Sequence, residues 1–249
     1  MDFFRMVRAR NRPLLGLFIK TVSADVHEVL AASSADAFII DAENASFSRT
    51  ALSECVFIAR SRGAPVIIRL PDANPAEAQH ALMIGADGVI LPHCEDAGEV
   101  ARFAAFLRGA AVDRAYSGVG RSSARRTMPW PAFSEAARRD FFILAQLDTP
   151  EGFDAAAPIA ATPGIDGIFL GLLTLELSPR FATPGADARG ALRSALAAAK
   201  ARGLFVGVSD PDARQAPAWA EAGADLLMIS NDLGALAQGV EARLAAFRA

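Results

Sequence analysis

The sequence predicts a (β/α)₈ TIM barrel built as one α/β domain over residues 1–249, and three observations carry that prediction. Eight short apolar runs alternate with segments of helical pattern. Polar residues gather just after the runs, at the ends where parallel sheets keep their chemistry. Four of the runs are preceded by the same small turn ending in aspartate. A chain of this length suits one barrel or two smaller domains. The unbroken alternation of strand and helix favours the barrel over an open doubly wound sheet.

In chain order, the strand-like runs fall at 14–19, 37–40, 66–69, 88–91, 141–147, 167–170, 204–208 and 226–229. Apolar runs this short, bounded by polar groups, suit strands buried on both faces. Helix starts have local signals. Ser48 precedes 50–60, Asn74-Pro75 precedes 76–84, and Asp210-Pro211 precedes 213–222. In each the polar residue is the expected cap, and a proline suits the first turn. The aspartate turns are Ser34-Ala35-Asp36, Gly85-Ala86-Asp87, Gly164-Ile165-Asp166 and Gly223-Ala224-Asp225. Each ends a helix and opens a strand, which places these aspartates on the stability face of a barrel. The segment 109–140 breaks the rhythm as a long loop region. It carries Gly118-Val119-Gly120, Arg121, Arg125, Arg126 and Met128-Pro129-Trp130-Pro131, before another short helical run. A basic, glycine-bearing loop of this kind either holds an anion, covers a pocket, or packs as a solvated loop on a neighbouring subunit. A last helical stretch at 233–247 presents Leu236, Val240, Leu244 and Phe247 at helical spacing, to cover its own barrel or a neighbour.

Composition excludes several classes. With 25 basic and 28 acidic residues the net charge is −3, so no global field draws nucleic acid or anionic lipid. Arg5, Arg8, Arg10 and Arg12 form a local basic patch, but Pro13, Gly16 and Lys20 interrupt any signal-like apolar core behind it. No stretch reaches the roughly 18 apolar residues of a spanning helix. Cys55 and Cys94 make no staple framework and read as free thiols of a reducing cytoplasm, the expected location.

The ends of the runs bring together Asp41, Glu43 and Asn44, Arg69, His93 with Cys94, Glu95 and Asp96, and then Gln146, Asp148 and Thr149. Gly171, Thr174, Glu176, Ser209, Asp210, Ser230, Asn231 and Asp232 complete the set. Carboxylates around a single arginine suit a hard divalent cation with an anionic, oxygen-rich substrate. Of the histidines, His27 and His80 fall in helical patterns, and only His93 stands at a strand end.

The order of these blocks resembles the HpcH/HpaI aldolase family, whose founding activity is metal-dependent cleavage of 4-hydroxy-2-oxo-heptane-1,7-dioate. Phe38-Ile39-Ile40-Asp41-Ala42-Glu43-Asn44 is similar to its Leu-Ile-Asp-Gly-Glu-His block, and Pro65-Val66-Ile67-Ile68-Arg69 to its arginine strand. Gly118-Val119-Gly120 with Arg125 resembles its Gly-Val-Gly loop. Gln146-Leu147-Asp148-Thr149 resembles Gln-Ile-Glu-Thr, and Phe169-Leu170-Gly171 with Leu175 resembles Phe-Ile-Gly-Pro-Ala-Asp-Leu. The resemblance runs from about Pro13 to Phe247. It implies a barrel of the phosphoenolpyruvate/pyruvate-binding type, a class II-like aldolase acting on a small 2-oxo acid through a pyruvate enolate, and a homo-oligomer, commonly a hexamer.

Carried over by residue, the resemblance implies a divalent cation (Mg, Mn or Co) at Asp148 and Thr174, where the family has glutamate and aspartate. Asp148 keeps a shorter carboxylate, while Thr174 offers a neutral hydroxyl. Asn44 stands where the family has a histidine base, and amides have no basic lone pair near neutral pH. Met83 stands where a neighbouring subunit would supply that histidine's aspartate. The catalytic candidates are therefore Arg69, Asn44, Glu43 and His93. Substrate contacts are expected from Arg69, Gln146, Gly171, Leu172 and Leu173. Lys20, at the end of the first run, is a candidate Schiff-base amine. Two alternatives stand beside the lyase: a silent small-molecule-binding or assembly homologue, and a different, metal-independent reaction on the same scaffold.

Overall fold

The computed structural model describes residues 12–121 and 127–248. Arg5, Arg8, Arg10, Arg125 and Arg126 lie outside the described residues. Eight parallel strands close into a barrel in sequence order. They are β1 Leu14–Ile19, β2 Ala37–Asp41, β3 Val66–Arg69, β4 Gly88–Leu91, β5 Phe142–Leu147, β6 Gly167–Gly171, β7 Phe205–Ser209 and β8 Leu226–Asn231. β8 returns to β1, with a register shift between Gly16 and Leu17. All eight expected strands are present, the largest difference being two further residues on β8.

Alternation along the strands builds two apolar layers. Ile39, Ile67, Ile90, Leu144 and Phe169 fill the lumen, while Phe38, Ile40, Ile68, Val89 and Leu170 pack outward against the helices. Phe142 and Phe205 meet edge-to-face in the lumen at 5.0 Å. Their neighbours have to be glycine: a Cβ on Gly88 would lie 2.4 Å from the Phe142 carbonyl oxygen, and one on Gly167 2.2 Å from that of Phe205.

The four turn aspartates occupy the stability face as expected, and each does the same thing. The Asp36 carboxylate accepts the amide N–H of Leu15 at 3.0 Å, and Asp87 that of Val66 at 2.9 Å. Asp166 accepts from Ile143 at 2.7 Å, and Asp225 from Val206 at 2.7 Å. Each also pairs with a basic side chain, respectively Arg12, Arg60, Arg108 and Lys200. These stitches satisfy strand-start amides that no ladder reaches, and they close the seams β1–β2, β3–β4, β5–β6 and β7–β8 from below.

Two of the three expected helix caps form: Ser48 accepts from Ala51 at the head of Arg49–Ser61, and Asn74 from Ala76 at the head of Pro75–Ile84. The third is corrected. Asp212 caps the turn Ala213–Gln215, which leads into helix Ala216–Glu221. Asp210 is instead held by both Arg189 nitrogens at 3.1 Å and by the Trp219 indole N–H at 2.9 Å. Trp219 is fully buried, and its N–H needs an acceptor there.

In the segment 109–140 the expected short helical run about Pro131 is present, and a further short helix precedes it among the described residues. Gly109 ends helix Ala97–Arg108, and the chain then forms Ala110–Ala115 and Trp130–Asp140. The buried Ala111, Val112, Ala115 and Phe133 account for both, since each short helix lays an apolar face on the outer layer. Beyond the barrel, helix Asp232–Arg248 is exposed along nearly its whole length; Leu236 is 65% and Phe247 91% accessible. It does not cover its own barrel. No helix among the described residues is long and apolar enough to cross a membrane.

Candidate active site

A cavity of about 480 Å³ lies at the C-terminal ends of the strands. Lys20, Arg69, Gln146, Asp148 and the stretch Gly171 to Thr174 line it, with Asn44, Asp210 and Asn231. The sequence candidates Arg69, Asn44, Gln146, Asp148, Gly171, Leu172, Leu173, Thr174 and Lys20 are thus brought to one cavity.

Asp41, at the end of β2, is the hub. It is fully buried and faces Arg69 in a forked geometry, with Nε 3.0 Å from Oδ1 and a terminal nitrogen 2.7 Å from Oδ2. The Lys20 ammonium lies 3.2 Å from Oδ2 on the other side. The Asn44 amide closes the turn onto Oδ1 at 3.1 Å. Burial alone pushes the Asp41 carboxyl up, but the bond and charge of Arg69, the Asn44 amide and Lys20 together hold it below the usual carboxylate range. The register pairs Asp41 with Arg69 across β2 and β3, so the fork is set by strand pairing. Beneath the guanidinium the Phe18 ring stacks at 5.0 Å. That support was not legible in the sequence, because it depends on β1 and β3 meeting across the lumen.

A second set of contacts closes on itself. Arg69 donates to the Gln146 side-chain oxygen Oε1 at 3.4 Å, and the Gln146 side-chain nitrogen donates to Asp148 Oδ2 at 2.7 Å. His93 Nδ1 lies 3.0 Å from Asp148 Oδ1, and its Nε2 lies 3.1 Å from Glu43 Oε1. Glu43 Oε2 returns to Arg69 at 3.1 Å. Among the described residues His93 is the only non-glycine with positive φ, at 49°. Burial disfavours its charged form, yet the neighbouring charges and bonds of Asp148 and Glu43 raise its pKa above the ordinary imidazole value. Neither Glu43 nor His93 lines the cavity, and the His93 side chain is 48% accessible.

Other candidates have structural partners. Asp96 caps helix Ala97–Arg108 and Thr149 caps Pro150–Asp154. Glu176 lies 3.3 Å from Arg189. The Asp232 carboxylate, read from sequence only as one of several polar residues, accepts the Lys20 and Thr21 amides at 2.8–3.1 Å and fixes the end of β1. Arg121 donates to the Ser53 carbonyl at 2.6 Å and stacks on Phe57, while Trp130 packs with Tyr116 and Phe133. The described part of that loop is therefore committed to the barrel's outer layer. Both cysteines are buried free thiols, pushed up to about 12 chiefly by burial. Cys55 Sγ sits 2.9 Å from His27 Nδ1, whose Nε2 bonds the Thr21 carbonyl at 2.7 Å; it is an inert core pair.

The donor set does not fit a hard divalent cation. Such an ion takes oxygen ligands in near-octahedral order. Here the family's two carboxylates are reduced to Asp148, whose Oδ2 accepts from Gln146 at 2.7 Å; Thr174 is exposed with a neutral hydroxyl, and no group of three or more His, Cys, Asp or Glu among the described residues is arranged to hold a metal.

The comparisons agree with this architecture. The family profile described as HpcH/HpaI aldolase/citrate lyase matches residues 14–243. A hydroxypyruvate/pyruvate aldolase of Roseovarius nubinhibens is 26% identical over 98% of this chain and 96% of its own length. A 4-hydroxy-2-oxo-heptane-1,7-dioate aldolase of Salmonella dublin is 28% identical over 99% of this chain and 94% of its own. The crystal structure of an HpcH/HpaI aldolase/citrate lyase family protein from Burkholderia cenocepacia superposes with a TM-score of 0.88 at 25% identity, covering all of both chains. The chain therefore belongs to the HpcH/HpaI aldolase/citrate lyase family, a membership that supports carbon–carbon lyase activity.

Proposed function

We propose that this chain is an aldolase that cleaves a small 4-hydroxy-2-oxo acid, with a pyruvate enolate as the intermediate. The observation that carries the reading is the pair of cations, Arg69 and Lys20, lining one cavity on either side of the buried Asp41. Two cations held by a carboxylate behind them offer an anionic ligand fixed N–H donors at low reorganisation cost. In cleavage, the 4-hydroxyl loses its proton and the C3–C4 bond breaks. Its electron pair moves onto the 2-oxo oxygen, where the Arg69 guanidinium stabilises the enolate. Protonation at C3 then gives pyruvate. The substrate carboxylate lies against the Gly171, Leu172 and Leu173 backbone, where the short helix Leu172–Leu177 has no side-chain cap. A Cβ on Gly171 would come 3.1 Å from that of Asp148, so glycine keeps this approach open.

Proton abstraction is the weak step. Asn44 reaches the cavity in the place of an imidazole, and His93, outside the cavity lining, has both nitrogens at carboxylates. General base catalysis contributes about 10²–10⁴-fold, so turnover below the common enzyme value of about 10 per second is expected. The test is pyruvate release from a panel of short 4-hydroxy-2-oxo acids by wild type and Arg69→Ala. Arg69-dependent release supports the lyase. Arg69-dependent binding of pyruvate with no release from any substrate favours the silent binder, the reading that Asn44 and Thr174 recommend. The exposed apolar residues of Asp232–Arg248 support a homo-oligomer, in which that helix is covered by a second copy.

A further inference from the structure

We propose that Lys20 is a second catalytic cation of the lyase reaction: its ammonium takes the C4 oxygen of the substrate while Arg69 takes the C2 oxygen, so that the two form a clamp for a β-hydroxy ketone on one buried carboxylate, Asp41. The proposal rests on reading the cavity as the site of a 4-hydroxy-2-oxo acid. It assigns the half of that substrate which Arg69 and the Gly171 backbone leave unheld.

Spacing carries the argument. Arg69 Nη2 lies 2.7 Å and Lys20 Nζ 3.2 Å from the same oxygen, Asp41 Oδ2, so the two nitrogens are at most about 6 Å apart. Both side chains line one cavity. The C2 and C4 oxygens of a 4-hydroxy-2-oxo acid sit on carbons with one carbon between them, and each accepts an N–H at about 2.9 Å. One molecule can therefore engage both cations. The ammonium has donors to give: it carries three N–H groups, its contact with Asp41 is an ion pair, and Asp41 Oδ2 has no hydrogen-bond partner among the described residues. Its stem is fixed at the base, where the Lys20 amide donates to both Asp232 oxygens at 3.1 and 3.0 Å. A cation held in place at a part-buried site stabilises developing negative charge with little reorganisation. On the β8 side of the cavity stand Ser230, Asn231 and Gln238, polar side chains that suit an oxygen-bearing substituent on C4.

In cleavage the 4-hydroxyl proton passes to solvent water, and the alkoxide so formed lies against Lys20, which stays protonated throughout. An alkoxide electron pair makes the C4=O bond as the C3–C4 bond breaks. The C3–C4 pair makes C2=C3, and the C2 oxygen takes the negative charge beside Arg69. Water then protonates C3, giving pyruvate and an aldehyde. The ammonium thus lowers the cost of a proton loss for which the chain has Asn44 in the place of an imidazole.

The test compares two ligands that differ in one oxygen. 2,4-Dioxopentanoate carries oxygens on C2 and C4 and has no C4 hydroxyl from which cleavage can start, and 2-oxopentanoate lacks only the C4 oxygen. Their affinities are measured by calorimetry on the purified full chain, for wild type, Lys20→Met and Lys20→Ala. Wild type is expected to bind the dioxo acid at least about tenfold tighter, as befits one hydrogen bond to a charged group, and in the variants that preference should shrink to within about threefold. Cleavage of 4-hydroxy-2-oxopentanoate should fall about 10²-fold or more in kcat/KM, as on removal of an oxyanion donor. Equal affinity of the two ligands for wild type overturns the proposal. So does a preference that survives in a folded Lys20 variant, and so does undiminished cleavage by one. If neither variant folds, the wild-type preference decides alone. Oxalate, a planar mimic of the pyruvate enolate with no C4 oxygen, judges the 2-oxo acid reading by itself. If wild type binds neither oxalate nor 2-oxopentanoate, that reading fails and the clamp with it; binding of both with no preference for the dioxo acid overturns the clamp alone.

Discussion

Replacing Asp41 by asparagine tests the hub directly. The substitution keeps the shape and the contact to the Asn44 amide but removes the charge that Arg69 and Lys20 face at 2.7 and 3.2 Å. Breaking a buried ion pair by removing one partner costs about 3–5 kcal/mol. Two features reduce that figure: Glu43 remains 3.1 Å from Arg69, and the Lys20 side chain is 28% accessible and can turn to water. The expected loss is therefore about 2–4 kcal/mol. Urea unfolding at neutral pH, followed through the buried Trp219, measures it. The folded-state pKa of Asp41 lies below the ordinary 3.8. Its contribution is thus fully present above that value and is lost as pH falls through the lower, folded one. The gap between wild type and Asp41→Asn must narrow on acidification. A loss under about 1 kcal/mol at neutral pH, or a gap that stays constant into strong acid, would refute the reasoning.

Other substitutions separate the two faces of the barrel. Asp225→Ala strands the Val206 amide and should cost about 1–3 kcal/mol, while Asp225→Asn, able to accept that N–H, should cost less; oxalate binding should be unaffected by either. Arg69→Lys keeps the charge but loses the fork onto Asp41, and is expected to lower kcat/KM by about 10²-fold with a much smaller change in stability. Gly171→Ala should weaken pyruvate binding without altering the unfolding midpoint by more than about 1 kcal/mol, because its Cβ meets Asp148 at the cavity edge rather than in the core. Equal losses of binding in Gly171→Ala and Asp225→Ala would show that the cavity is not the ligand site.

The strands were legible because burial on both faces leaves an unmistakable apolar run, and the turn aspartates were legible because the same tripeptide pattern recurs before β2, β4, β6 and β8. The catalytic-face residues were legible as a set, through strand ends alone. What each one touches was not. Asp210 reads as a helix cap from its proline neighbour, yet Arg189 and Trp219, distant in sequence, claim it. His93 was recognisable as the one histidine at a strand end, but its two carboxylate neighbours arrive from β2 and β5 on either side of β3 and β4, a juxtaposition that only barrel closure produces. In the segment 109–140 the helical run about Pro131 was legible, but Ala110–Ala115 was not, because it follows Gly109 directly and its apolar face is mostly alanine.

The stitches beneath the barrel leave alternate seams untied, and at its mouth each of those four seams carries a contact of its own. Asp41 and Arg69 span β2–β3, His93 and Asp148 span β4–β5, Arg189 joins the segments after β6 and β7, and Asp232 holds the end of β1 to β8. The ring is thus laced like the staves of a cask, four two-strand staves fastened below and joined to one another above. Two side chains that line the cavity, Arg69 and Asp148, are also part of the upper lacing. Drift in substrate preference through Asp41, Arg69 or Asp148 consequently loosens a seam as it reshapes the cavity, whereas change at Thr174 or Asn44, which lace nothing, is mechanically free. Both depart from the family pattern that the sequence resembles, as do Met83 and Asp148, and of these four only Asp148 ties a seam.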